Sequence, residues 1–209
     1  MDKYQETIAT WNKIATLYEE KFMNFSLYND TYQLFCLLIT QKEPKILEIG
    51  CGPGNITKHL LQLRPDFILD GIDVSFNMIQ LAQKNNPNAS FRVYDARHLA
   101  QIKECYDAIV CGFCIPYLIP ADVENFITAS ADLLTSKGQL YLSFISGNPD
   151  SSGFITSSSG DKTYFHFYET AFIKRLLQQN HFVITNEIIK EYTRSESITE
   201  QHIILIAAK

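Results

Sequence analysis

Residues 45–54 read Lys45-Ile46-Leu47-Glu48-Ile49-Gly50-Cys51-Gly52-Pro53-Gly54. An apolar run ends in three glycines at alternate positions, and a helical segment, Asn55 to Leu63, follows at once. Strand, glycine turn and helix in that order let a backbone approach a nucleotide-like ligand closely. An ordinary tight strand–helix connection is the bland alternative, and three alternating glycines directly after an apolar run weigh against it. The dinucleotide spacing Gly-x-Gly-x-x-Gly needs glycine at position 55, where this chain has Asn55.

The elements on either side extend the same pattern. Ile8, Trp11, Ile14, Ala15, Tyr18 and Phe22 fall at helical spacing over Tyr4–Phe22, and Tyr28–Ile39 gives a second helix that ends before Pro44. The first strand is Lys45–Ile49 and the second is Phe67–Asp73. Ser75 then N-caps a helix carrying Met78, Leu81 and Ala82, which Asn85-Asn86-Pro87 stops. Ser90–Tyr94, Tyr106–Gly112 and Gln139–Ile145 read as further strands, and Ala121–Leu134 as an amphipathic helix closed by Ser136-Lys137-Gly138. Such alternation predicts an α/β fold, a doubly wound and mostly parallel sheet with helices on both faces. After Ile145 the pattern changes. Ser146–Asp161 reads as a loop and Glu169–Gln179 as a helix. Phe182–Tyr192 and His202–Ala208 read as strands joined by a turn over Thr193–Gln201, hence an antiparallel hairpin. One domain over residues 1–209 is expected, with residues 1–43 as a helical lid segment.

Composition narrows the classes. The 209 residues are 46% hydrophobic, which suits a packed core. A formal net charge of -5 argues against a dedicated nucleic-acid surface. The polar start, Met1-Asp2-Lys3-Tyr4, lacks the apolar segment of a signal peptide, and no apolar run approaches the roughly 20 residues that span a bilayer. The five cysteines are an odd number and lie mostly in apolar runs, as buried thiols in a reducing cytoplasm do.

In open α/β sheets ligands bind beyond the carboxyl ends of the strands. Asp73 ends the second strand and can accept hydrogen bonds from both ribose hydroxyls; capping the next helix is the alternative, a role Ser75 already fills. Asp95, followed by Ala96, can accept from an exocyclic amine such as that of adenine. After the fourth strand come Cys111-Gly112-Phe113-Cys114-Ile115-Pro116-Tyr117. Gly112 permits close approach, and the faces of Phe113 and Tyr117 suit a cation such as a sulfonium. Cys111-x-x-Cys114 has neither the helix start of a redox pair nor a His/Cys partner pair at zinc spacing, so no metal is expected. Tyr164 and His166 are candidate bases for a second pocket, with aromatic packing at the sheet edge as the alternative. Tyr18 is placed to close a lid over the ligand.

These residues, in this order, resemble class I S-adenosylmethionine-dependent methyltransferases over nearly the whole chain. Glu48 to Gly54 resembles the family's first motif, Asp73 its ribose-binding acid, and Asp95-Ala96 its adenine-contacting position. Tyr106–Val110 resembles the strand leading to the methyl-transfer face, and Trp11–Tyr18 the N-terminal segment of its small-molecule members. The resemblance implies S-adenosylmethionine as cofactor, held by Tyr18, Glu48, Gly50, Cys51, Gly52, Asp73, Val74, Met78, Asp95, Ala96, Cys111 and Phe113. It implies methyl transfer by in-line displacement; no catalytic residue is assigned, and His166, Tyr164 and Tyr117 are candidates from their positions in the chain alone. Gly112–Tyr117 does not fit the Pro-Pro-aromatic motif of nucleic-acid amino-methylating members, so a small-molecule acceptor is expected. A nicotinamide-dependent oxidoreductase is a rival that Asn55 and the lack of a Tyr-x-x-x-Lys pair disfavour. A non-catalytic adenosyl-binding module is a second rival, which the retained glycines and acids disfavour.

Overall fold

A computed structural model describes residues 2–157, 160–195 and 198–209. The apolar spacing predicts one helix over Tyr4–Phe22. The structure instead has α1 (Lys3–Lys13) and α2 (Ala15–Phe22), separated at Ile14, whose φ of -95° and ψ of 12° leave the helical region. The cause lies in a distant contact. The carbonyl of Asn12 accepts from Asn77 Nδ2 (2.8 Å), and its side-chain oxygen accepts from Asn77 N (2.9 Å) and Ser75 Oγ (3.1 Å). Those bonds turn the chain across the start of a later helix.

The elements that follow are α3 (Asn29–Leu38), β1 (Lys45–Ile49), α4 (Asn55–Leu63), β2 (Ile68–Asp73), α5 (Phe76–Asn85), β3 (Ser90–Val93), β4 (Tyr106–Gly112) and α6 (Pro120–Leu133). Then come β5 (Leu134–Ile145), β6 (Gly153–Thr156), β7 (Lys162–Phe165), α7 (Thr170–Gln179), β8 (Val183–Ser195) and β9 (Ile198–Ala208). Seven strands form one sheet in the order β3-β2-β1-β4-β5-β9-β8. The first five run parallel, and β9 is antiparallel to both neighbours. The sheet is the doubly wound, mostly parallel one that the alternation predicts, with its closing antiparallel hairpin.

Three expectations are corrected. Ser146–Asp161 is not simply a loop: it contains β6, which pairs with β7 in a small separate hairpin, docked on α1 where Thr7 Oγ1 accepts from Tyr164 N (2.9 Å) and Thr10 Oγ1 donates to Lys162 O (2.7 Å). Leu134, read as the end of a helix, and Ser136-Lys137-Gly138, read as its close, already belong to β5. Leu134 pairs with Tyr106 ahead of a register shift, and Asp107 accepts from Thr135 Oγ1 (3.2 Å) and Lys45 N (2.9 Å). The expected turn over Thr193–Gln201 is mostly ladder, because β8 and β9 are longer than their apolar cores.

Both faces of the sheet are buried, and strand periodicity sorts the side chains. Ile109, Cys111, Ile203 and Leu205 pack with α6 and α7, while Ala108, Val110, Ile204 and Ile206 pack with α3 and α4. Each fully buried Ile or Leu contributes about 1.5–3 kcal/mol. Arg64, just past α4, closes the second layer. Its guanidinium donates to Ile39 O (2.8 Å) and Gln41 O (2.9 Å) beyond the end of α3, and to both Asp66 oxygens (2.8 Å). Replacing Arg64 by Ala strips partners from those carbonyls and is expected to cost about 1–3 kcal/mol in urea unfolding, with R64K intermediate; an unchanged midpoint for R64A refutes the clamp.

Candidate functional site

The site begins where β1 stops. The N–H groups of Gly50 and Cys51 both donate to Ile72 O (2.8 and 3.0 Å), so the turn folds back on β2. Gly50 has φ 68°, and a Cβ there would sit 2.8 Å from Cys114 Cβ; only glycine fits. Gly52, at φ 52°, differs: a Cβ there would meet nothing nearer than the Tyr18 ring at 3.7 Å. A Cβ would fit there at ordinary contact distance, so the glycine serves the positive φ and leaves the Tyr18 ring directly over the backbone. Asp73, ending β2, holds this shape. Its Oδ2 accepts from Gly52 N (3.0 Å) and its Oδ1 from Ser75 N (2.8 Å). Burial raises its carboxyl above the ordinary value against the lowering effect of those bonds. Ser75 caps α5 as expected, accepting from Met78 N (3.2 Å).

Beneath the turn lies Glu48, fully buried on β1. Its Oε2 accepts from Thr57 Oγ1, while Oε1 has no hydrogen-bond partner. Burial pushes this carboxyl up to about 8. Above the turn stands an aromatic wall. Trp11 meets Tyr18 and Tyr117 edge-on at 5.4 Å each, and Trp11 Nε1 is also buried without a partner. Burial, with the nearby charges of Asp73 and Glu48, raises the Tyr18 hydroxyl to about 12.

The other expected residues are placed as follows. Met78, Ala96 and Cys111 are buried, as is Cys51, and Val74 is half-buried. Cys114 lies against Cys111, and that contact together with burial holds its thiol well above the ordinary value. Asp95 is engaged: Arg97 donates to it from its backbone (2.9 Å) and from Nε (3.0 Å) and Nη2 (2.5 Å). Burial raises the Asp95 carboxyl, but these bonds and the guanidinium charge outweigh it and leave it low. His166 and Tyr164 sit apart from the turn, packed between α1 and the segment after β4. His166 N donates to Pro116 O (2.7 Å), Lys3 Nζ lies over the Tyr164 ring, and burial lowers the His166 imidazole to about 4. Phe113 has φ 55°, and its ring turns away to meet Tyr28 (5.2 Å) and His202 (5.0 Å).

That last contact exposes a group that sequence reading passes over. Tyr28 Oη lies 2.5 Å from His202 Nδ1, and His202 Nε2 lies 3.2 Å from Glu200 Oε2. Tyr28 and His202 are 174 positions apart, and His202 opens an apolar strand that carries no motif. Among the described residues no group of three or more His, Cys, Asp or Glu side chains is placed to hold a metal ion, and no helix is long and apolar enough to cross a membrane.

Residues 46–138 match a family model described as a methyltransferase domain. A relative, putative methyltransferase 235L of Invertebrate iridescent virus 6, is 33% identical over 136 residues, 65% of this chain and 49% of that protein. The ubiquinone biosynthesis O-methyltransferase of Bartonella tribocorum is 26% identical over 69% of this chain and 62% of its own. Magnesium protoporphyrin IX methyltransferase from Synechocystis, solved with bound S-adenosylhomocysteine, superposes with TM-score 0.74 at 18% identity, covering 100% of both chains. Residues 46–138 are thus similar to a methyltransferase domain, and the chain shares the fold of solved S-adenosylmethionine-dependent methyltransferases. It spans about half to three-fifths of the length of these two sequence relatives.

The part of the chain that matches the family model contains Glu48, the glycine turn, Asp73, Asp95 and Phe113, whereas Trp11, Tyr18, Tyr28, Glu200 and His202 lie outside it. Glu48 yields a test that needs no substrate. Its carboxyl titrates near 8 when folded and at about 4.3 when unfolded. The folded state therefore binds the proton more tightly, and its stabilising effect is complete below the unfolded value and lost as pH rises toward 8. E48Q is expected to match the wild type at about pH 4 and to exceed it by about 2–4 kcal/mol at about pH 8 in urea unfolding; a pH-independent difference refutes the assignment.

Proposed function

We propose that the protein transfers a methyl group from S-adenosylmethionine to a small-molecule acceptor by in-line displacement. The observation that carries this reading is the turn itself: a positive-φ Gly52 beneath the Tyr18 ring, braced by Asp73, above a buried Glu48 oxygen that lacks a donor. That chemistry fits the cofactor. The unpartnered Glu48 oxygen can accept from its ammonium group, the Cβ-free Gly52 suits a close backbone contact, and Asp73 ends the strand beside which a ribose would lie. When bound, the cofactor supplies a sulfonium methyl, an electrophile that needs no further activation.

The chain's own residues then bind, orient and exclude water. Asp95 and Ala96 border the adenine position, with Val74 and Met78 beside the ribose, and Cys111 and Phe113 lead to the transfer face. Tyr18, on the lid formed by residues 1–43, covers Gly52. Trp11 and Tyr117 complete an aromatic wall suited to a positively charged sulfur. Positioning supplies the acceleration, since well-oriented reactants reach effective molarities of roughly 10⁵–10⁸ M. We read residues 1–209 as a single domain. The net charge of -5 and relatives named for ubiquinone and menaquinone chemistry support a small-molecule acceptor rather than nucleic acid. Five free cysteines fit a reducing cytoplasm.

Calorimetry tests the reading. Wild-type protein is expected to bind S-adenosylhomocysteine and not NADH. D73A and E48Q, checked for folding by circular dichroism, should each weaken S-adenosylhomocysteine roughly 10–100-fold, the equivalent of one hydrogen bond to a charged group. Wild-type affinity in folded D73A, or preference for NADH, overturns it.

A further inference from the structure

The Tyr28–His202–Glu200 chain lies at the edge of the sheet where transfer takes place. Gly112 of β4 pairs with Ser143 of β5, which pairs with Ile204 of β9. His202 is two residues further along β9, opposite Ile145 at the end of β5. Because β9 runs antiparallel, this step carries His202 about 7 Å beyond the Gly112 row, toward the carboxyl ends of the parallel strands. Phe113, the residue after Gly112, packs against both His202 and Tyr28. On the donor side, the Tyr117 hydroxyl is within electrostatic reach of Tyr18, Arg194 and Glu200 together. Tyr28 is likewise within reach of Tyr18 and Glu200. Phe113 thus links the chain to the loop that follows β4 beside the glycine turn.

Hydrogen-bond chemistry fixes the proton positions. Glu200 Oε1 accepts from Arg194 Nη1 (3.3 Å), and its Oε2 faces His202 Nε2 as an acceptor. His202 Nε2 must therefore carry a hydrogen toward Glu200. Burial lowers the His202 imidazole, so the ring is neutral at pH 7 and Nδ1 bears a bare lone pair. Tyr28 Oη donates to that lone pair at 2.5 Å. The order carboxylate, imidazole, hydroxyl is that of a general-base triad with a phenol at its head.

We propose that Tyr28, His202 and Glu200 form a proton relay that takes the proton of a hydroxyl acceptor, a phenol or enol, as its oxygen is methylated. This rests on the methyl-transfer reading and deepens it, since a base is required only when the acceptor must lose a proton. Tyr28 is the group that meets the acceptor; His202 and Glu200 act through it. The acceptor O–H proton passes to Tyr28 Oη as the Tyr28 proton passes to His202 Nδ1. The acceptor oxygen forms its bond to the methyl carbon with a lone pair, and the pair of the breaking carbon–sulfur bond stays on sulfur as a neutral thioether. The imidazolium is balanced by Glu200, and its proton then leaves to solvent by way of that carboxylate. Around the imidazole the titratable and charged groups are Tyr28 from the segment before α3, Tyr192 and Arg194 from β8, and Glu200 on its own strand. Lys190, opposite it on β8, is paired with Asp30 (2.6 Å). β4 contributes only the Phe113 ring, while Tyr32 of α3 and Tyr141 of β5 act on Tyr28 rather than on His202.

The test uses 4-nitrophenol, whose phenolate absorbs in the visible, added to wild-type protein saturated with S-adenosylhomocysteine. Binding to the relay is expected to lower the apparent ionisation midpoint of the phenol by about one pH unit or more relative to water. Y28F keeps the ring but removes the hydroxyl, and E200Q removes the charge balance; each should return the midpoint to its value in water. Calorimetry with S-adenosylhomocysteine on the same samples reports the donor site. If the wild type binds S-adenosylhomocysteine yet shows no shifted phenolate band, or if Y28F retains the shift, the relay is overturned while the methyl-transfer reading stands. If the wild type does not bind S-adenosylhomocysteine, both fall.

Discussion

The Asp73 carboxylate is the constraint on which the ligand-binding edge depends. One oxygen holds the Gly52 N–H and the other the Ser75 N–H, so the loop after β1 and the start of α5 are fixed by one side chain at the end of β2. Those two loops are 21 and 2 residues from it in sequence, so a single buried charge converts two flexible connections into one rigid rim. The cost is desolvation, visible in the raised Asp73 carboxyl, and the two N–H donors offset it. Asn12 extends the same rim upward. By bonding Ser75 and Asn77 it fixes α1 over α5, and the break at Ile14 lets α2 carry Tyr18 across the glycine turn.

What the sequence made legible was local. The apolar run around Glu48, the glycines after it, and the Ser75 cap each report on neighbours within a few residues, and β1, α4 and α5 stand where those signals put them. The misread segments depend on distant partners. Nothing in Trp11–Tyr18 announces that the Asn12 carbonyl is taken by Asn77. Nothing in the Ser- and Gly-rich run after Ile145 announces that β7 waits beside α1. Of the candidate site, the residues carried on strand ends and turns were readable because their spacing is set by the backbone. The Tyr28–His202–Glu200 chain was not, because it forms only when the closing hairpin is laid antiparallel beside β5 in one particular register.

Between these two zones runs an unbroken series of ring contacts: Trp11 with Tyr18, Tyr18 with Phe22 (4.6 Å), Phe22 with Phe25 (5.8 Å), and Phe25 with Tyr28 (5.7 Å). Each such pair adds about 0.5–1.5 kcal/mol beyond its buried area. The segment that covers the glycine turn is therefore the same segment that delivers Tyr28 to His202. These contacts tie Trp11 and Tyr18, over the glycine turn, to Tyr28 beside His202.

The register of the last hairpin has a consequence of another kind. In the proposed site, the groups assigned to the methyl donor are strung along β1, β2 and the loops that follow them, whereas His202 and Glu200 belong to β9 and meet that region through side-chain contacts and the shared sheet. The two halves of the site are thus separable stretches of polypeptide. The closing hairpin forms a replaceable cassette: new residues on its β5-facing rows would recast what is methylated, while the grip on the methyl donor, set far upstream, would be inherited intact.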